Sequence, residues 1–240
     1  NFTNSVFIDA SGVGGVGGNS GNPSSLGTGQ GGAINLRAEG ASGVLSFTNL
    51  DINADGSIAS DGEGGAPAFE GDGGLGFGGA VTFDILGGTF TANDIAVGSD
   101  GSGGRGGNLV TLPAPGLAPL SASQALPADL TVVNSPQAGG VSAGDGGDGQ
   151  GGDVTFNLNG GNATVTNLTI SANGFGGDGA YGDINNGTAG GNGGRGLGGS
   201  TTFNALSGTL TVTSTLTVSA DGNNQSIAPY GSSGRGGFGN

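Results

Sequence analysis

Apolar and polar residues alternate one by one in several separate stretches of this chain. Val81, Phe83 and Ile85 alternate with Thr82 and Asp84, and Val154, Phe156 and Leu158 alternate with Thr155 and Asn157. Leu210, Val212, Leu216 and Val218 fall among Thr211, Thr213, Thr215 and Thr217. A period of two puts one set of side chains on each face of a strand, so each stretch predicts a β-strand with one buried and one exposed face. Gly87-Gly88, Asn159-Gly160-Gly161 and Ser207-Gly208 interrupt the alternation. They predict tight turns that require positive φ. No stretch carries a helical period, and each glycine inside a helix would cost about 1 kcal/mol relative to alanine. An all-β chain is expected.

The strand-like stretches recur as units. Residues 31–56 read GGAINLRAEGASGVLSFTNLDINADG and residues 78–101 read GGAVTFDILGGTFTANDIAVGSDG. Residues 151–174 read GGDVTFNLNGGNATVTNLTISANG and residues 198–222 read GGSTTFNALSGTLTVTSTLTVSADG. Each opens on Gly-Gly, passes a glycine-bearing turn and closes near Ala-Asp/Asn-Gly. Residues 1–12 match the end of such a unit, and Leu130–Ser135 reads as a degenerate copy. The units start at 31, 78, 151 and 198, so the steps are 47, 73 and 47, and the first and third, like the second and fourth, lie 120 residues apart. The 240 residues are therefore a single repetitive domain of about two 120-residue blocks. A unit of roughly 24 residues with two or three short strands has the size of one coil of a parallel β-solenoid, which buries its apolar face only against stacked neighbours.

Residues 13–30, 57–77, 102–150, 175–197 and 223–240 separate the units, and glycine keeps a three-residue beat in them. Gly12, Gly15, Gly18 and Gly21 hold it, as do Gly98, Gly101, Gly104 and Gly107, Gly187 through Gly199, and Gly231, Gly234 and Gly237. Three residues per turn is the period of the polyproline II helix, and glycine at every third position leaves one edge bare, so that neighbouring chains can exchange backbone hydrogen bonds. The spacers are expected to form polyglycine II-type arms beside the solenoid coils. Glycine supplies 61 of the 240 residues, which otherwise suggests disorder or collagen. Only 8 residues are proline, mostly between Pro113 and Pro136, and this excludes collagen.

Charge and composition narrow the function. Four arginines stand against 18 acids, for a net charge of −14, and such a chain repels nucleic acid and anionic membrane surfaces. No stretch approaches the roughly 18 apolar residues of a membrane span. The missing initiator Met suggests a processed chain or a segment of a longer one. Cys, His and Lys are absent, so paired carboxylates are the chemistry left for an enzyme. The acids are mostly Asp in glycine-rich turns, such as Asp55, Asp61, Asp72, Asp100, Asp145, Asp148 and Asp221, where backbone capping is the ordinary role. No active site is read and no cofactor is expected. Calcium binding would fall to Asp145, Asp148 and Asp153, although the run Gly146-Gly147-Asp148-Gly149-Gln150-Gly151 breaks the calcium nonapeptide. Arg105, Arg195 and Arg235 share Gly-Arg-Gly contexts and are either solvated charges or bidentate partners for Asp on a neighbouring arm or subunit. The Thr row from Thr209 to Thr217 is a solvent face or an ice-binding face, and Arg37 and Asn49 interrupt its equivalents.

The units resemble the glycine-rich β-solenoid repeats of large secreted bacterial surface proteins, the filamentous-haemagglutinin-like and autotransporter-type adhesins. The likeness rests on the signature GG-x-V-T-F … L-T-V-S-A-D-G and spans nearly the whole chain. The spacers look like the polyglycine II bundles of some phage tail-tip adhesins and of a glycine-rich arthropod antifreeze protein. The resemblance implies structural or binding roles at the cell surface or outside the cell, and no catalysis.

The leading expectation is a self-assembling filament subunit or adhesin stalk built by end-to-end β stacking. The chain begins inside a strand unit, where Val6, Phe7 and Ile8 lie, and stops inside a spacer, so each end is expected to lack what the next copy supplies. Neither Lys nor Pro guards the strands against edge pairing. The alternatives are an adhesin that binds glycan or cell surface through the glycine layer, and an ice-binding protein.

Overall fold

The computed structural model describes residues 5–14, 27–40, 43–58, 72–106, 143–180 and 190–224. The degenerate copy at Leu130–Ser135, Arg235 and the closing beat from Gly231 lie outside these residues. The described residues form strands and connections, with no helix.

A partial first repeat holds β1 (Val6–Asp9) and β2 (Gly12–Gly14). The second holds β3 (Thr28–Gln30), β4 (Ala33–Ala38), β5 (Val44–Asn53) and β6 (Gly56–Ile58). The third holds β7 (Leu75–Phe77), β8 (Ala80–Ile85), β9 (Thr89–Gly98) and β10 (Gly101–Ser102). In the fourth, β11 (Gly149–Gln150) precedes one long strand, β12 (Asp153–Ser171), and then β13 (Gly174–Gly176). The fifth repeats that plan with β14 (Gly196–Leu197), β15 (Ser200–Ser219) and β16 (Gly222–Asn224).

Among the described residues every strand pair is parallel and joins equivalent segments of successive repeats. The large sheet runs β1-β5-β9-β12-β8-β4, with β15 on the other side of β12. The first half of β12 pairs with β8, starting at Asp153 against Ala80, and its second half pairs with β9, from Asn162 against Thr89. The sheet therefore curls, and both halves turn their apolar residues onto one core. Val81, Phe83 and Ile85 of β8 are buried with Phe90, Ala92, Ile95 and Val97 of β9, and the same columns continue into β12. Phe83 stacks on Phe156 with ring centroids 4.4 Å apart, and Phe156 stacks on Phe203 at 5.2 Å.

The turns lie where the alternation breaks. Gly40, Gly88, Gly160 and Gly208 all have φ between 74° and 114°, one in each complete repeat, where a side chain would be strained. The opposite end of each repeat is pinched by backbone bonds. The N–H of Gly32, Gly79, Gly152 and Gly199 donates to the carbonyl of Ala10, Ala54, Ser99 and Ala172 in the preceding repeat, at 2.6–2.7 Å. The Gly-Gly that opens each unit thus closes the core.

Beyond this pinch the backbone leaves the core along two narrow sheets, β2-β6-β10-β13-β16 and β3-β7-β11-β14. These short strands lie at the edges of units or inside the stretches read as spacers. Glycine-rich limbs continue from them and hydrogen-bond to one another. Gly104 donates to Gly74, Gly147 to Gly104, Gly177 to Gly147 and Gly194 to Gly177, all at 2.7–2.8 Å. Three residues further along each limb, Ala180 donates to Gly144 and Gly191 to Ala180, both at 2.9 Å. The limb bonds thus recur at a three-residue spacing, although Gly191 and Gly194 fall one residue off the beat read from Gly187 to Gly199. Several of these positions admit no side chain: a Cβ on Gly147 would overlap the carbonyl of Gly74, and one on Gly177 that of Gly104.

Candidate assembly edges

Side-chain ladders run along the stack. Asn157 donates to Asp84 at 2.8 Å, Asn167 to Asp94 at 2.7 Å, and the N–H of Asn173 to the Asp100 carboxylate at 2.6 Å; each pair lies 73 residues apart. At a separation of 47, the N–H groups of Asn192 and Arg195 donate to Asp145 and Asp148 at 2.6 Å, and Asn204 donates to Asn157 at 2.9 Å. These separations equal the steps between units, so an acid or amide in one repeat binds the repeat stacked on it. Asp55, Asp72, Asp100, Asp145 and Asp148 do cap backbone, but the N–H each caps belongs to the neighbouring repeat.

The longest ladder follows the exit corner of the core. The Asp55 carboxylate accepts the N–H of Asp100 at 2.7 Å, Asp100 accepts that of Asn173, and Asn173 accepts that of Asp221 at 2.8 Å. Half-burial pushes the Asp55 carboxyl up from its ordinary value, the charges of Asp100 and Asp9 add to this, and the Asp100 N–H and Asn53 oppose it. Asp9, fully exposed, is held low by the Ser11 hydroxyl and N–H. No local motif distinguishes these residues in the sequence, and only their equal spacing to the unit boundaries could have aligned them.

Among the described residues the stack ends on strands paired on one side. Among the described residues β15 pairs with β12 alone, and at the opposite end β1 pairs only with β5 and β4 only with β8. Phe203 of β15 is 41% exposed, whereas Phe156, one repeat inward, is 3% exposed. Leu216 is 54% exposed against 0% for its register partner Leu168. The apolar core is thus cut open at β15.

The residues expected to take part in assembly are placed as follows. Val6 and Ile8 lie in the edge strand β1, half-buried against Leu50 and Ile52, and Phe7 faces outward beside Asp51. Arg105 is half-buried on the limb after β10. Arg195 stands on the limb before β14, its side chain exposed and its N–H on Asp148. Arg37 forms an ion pair with Glu39 at the end of β4, a contact that nothing in the repeat pattern signals. Asp145 and Asp148 lie along one limb and Asp153 begins β12, and among the described residues no three acids converge on a metal position. The Thr row lies in β15, where Thr211 continues a hydroxyl column with Ser46, Thr91 and Thr164, while later columns read Asn49, Asp94, Asn167 and Thr215, and Asp51, Ala96, Thr169 and Thr217.

No family model, curated protein or solved structure matches this chain.

Proposed function

We propose that this chain is a non-enzymatic structural subunit, at the cell surface or outside the cell, that polymerises by stacking the β15 edge of one copy on the β1 and β4 end of the next. In this reading the repeats are coils of a parallel β-solenoid and the limbs are polyglycine II-type arms, which agrees with the parallel pairing of equivalent segments and the three-residue spacing of the limb bonds. The observation that carries it is the edge of β15: 20 residues with one partner strand among the described residues, and the cross-section of an apolar core facing outward. An unguarded edge of this length is a template for β pairing. A second copy fits because its first strands carry the same pattern that β15 already matches on β12. In the register of the internal repeats, Val6 would meet Leu216 and Ile8 would meet Val218. A head-to-tail contact of this kind does not close and gives a filament.

Electron microscopy of the purified chain across a range of concentrations tests this. Filaments that lengthen with concentration, and that vanish when Leu216→Lys places a charge in the edge, are the expected result. Monomers at every concentration would overturn it.

A further inference from the structure

An open groove of roughly 930 Å³ runs along the stack where the limbs enter the core. Its floor is the row of Gly-Gly pairs that pinch each repeat. One wall is the column formed by the last residues of β3, β7 and β11, namely Gln30, Phe77 and Gln150. The facing wall is low and includes Asp153 and Ser200, the first residues of β12 and β15. Floor donors are engaged: the N–H of Gly78 is bonded to Gln150 and that of Gly79 to Ala54, at 2.8 and 2.7 Å. The floor therefore gives flat contact, and side chains on the walls must supply recognition.

The high wall alternates. Exposed amides stand at Gln30 and Gln150, and the half-buried apolar platform of Phe77 stands between them. The two amides lie two repeats apart, about 10 Å at a strand spacing of about 4.8 Å. A ligand using all three must be linear, and one that repeats in that double step meets both amides alike. A β-1,4-linked pyranose chain does so: it is a twofold ribbon in which every second sugar presents the same face, over a length close to two strand spacings. Its C–H faces suit Phe77, and its hydroxyls suit the two amides, Asp153 and Ser200. The net charge of −14 and Asp153 in the wall oppose a polyanion. We propose that this groove binds a neutral, linear β-1,4-linked glycan lying along the stack, a binding activity independent of whether copies polymerise.

Isothermal titration calorimetry on the full chain tests it, with cellohexaose, mannohexaose and chitohexaose as probes. Maltohexaose, an oligogalacturonate and a proline decapeptide serve as the other arms. Expected is binding of at least one β-1,4 hexaose in preference to the other three, weakened about tenfold by Phe77→Ala and by Gln150→Ala. Thr91→Ala, outside the groove, should leave it unchanged. Gln150 is exposed, so its variant keeps the test valid if Phe77→Ala fails to fold. Absence of binding to all three β-1,4 hexaoses, undiminished binding in Gln150→Ala, or preference for the polyanion or the proline peptide would each overturn the proposal.

Discussion

β12 and β15 carry nearly the same side chains in nearly the same register, and their surroundings differ completely. Phe156, Leu168 and Ile170 are buried between two neighbouring repeats, while among the described residues Phe203, Leu216 and Val218 have a neighbouring repeat on one side only. Burial in this chain is thus decided less by the residue than by whether another repeat follows. A repeat of this kind cannot complete its own core, and the last one is left with the demand that every inner one has had met.

Substitutions that are equivalent in sequence should therefore differ in effect. Phe156→Ala removes a ring stacked on both faces and should cost about 3–5 kcal/mol in denaturant unfolding of the monomer. Phe203→Ala should cost well under half of that, because one face of its ring is already in water. Equal losses would mean that the end repeat is covered in solution. The ladder gives a smaller contrast. Asp100→Ala removes the acceptor for the Asn173 N–H and the Ser171 hydroxyl and should cost about 1–2 kcal/mol. Asp221→Ala, at the end of the same ladder, where the carboxylate takes the Ser219 hydroxyl, should change monomer stability by only a few tenths of a kcal/mol.

A charge-only change sharpens the comparison within the ladder. Asn173 performs as an amide the bond that Asp55 makes as a carboxylate. Asp55→Asn keeps that bond and removes a charge that burial disfavours. The folded chain holds a proton on Asp55 more readily than the unfolded chain does, so its stability falls as pH rises above the ordinary value of 3.8. The variant should be more stable than the parent at pH 7, with the difference shrinking as pH falls and Asp55 takes up its proton. Thermal unfolding at pH 7 and at acid pH checks this; a variant less stable at pH 7 would contradict it.

Much of this arrangement can be read from the sequence, for physical reasons that also set the limit. The strands of the core are legible because Val81, Phe83 and Ile85 must all face one way, and the turns because only glycine tolerates the φ found at Gly88 and Gly160. A strict period of two misses the kink where Asn93 and Asp94 both face outward before Ile95 turns back to the core. The short strands β7, β10 and β13 are invisible because Leu-Gly-Phe, Gly-Ser and Gly-Phe-Gly are too short to show an alternation, and their partners lie a whole repeat away. The groove is illegible for a related reason: Gln30, Phe77 and Gln150 become neighbours only once the repeats stack in register.

The β15 edge is the centre of the proposal, and hydrogen exchange reads it directly. Amide protection should be measured along residues 153–171 and 200–219 at low and high protein concentration. If a second copy pairs with the edge, the outward-facing amides of 200–219 will exchange fast when dilute and rise towards the protection of 153–171 as concentration increases. Protection along 200–219 that stays low at every concentration would contradict end-to-end pairing.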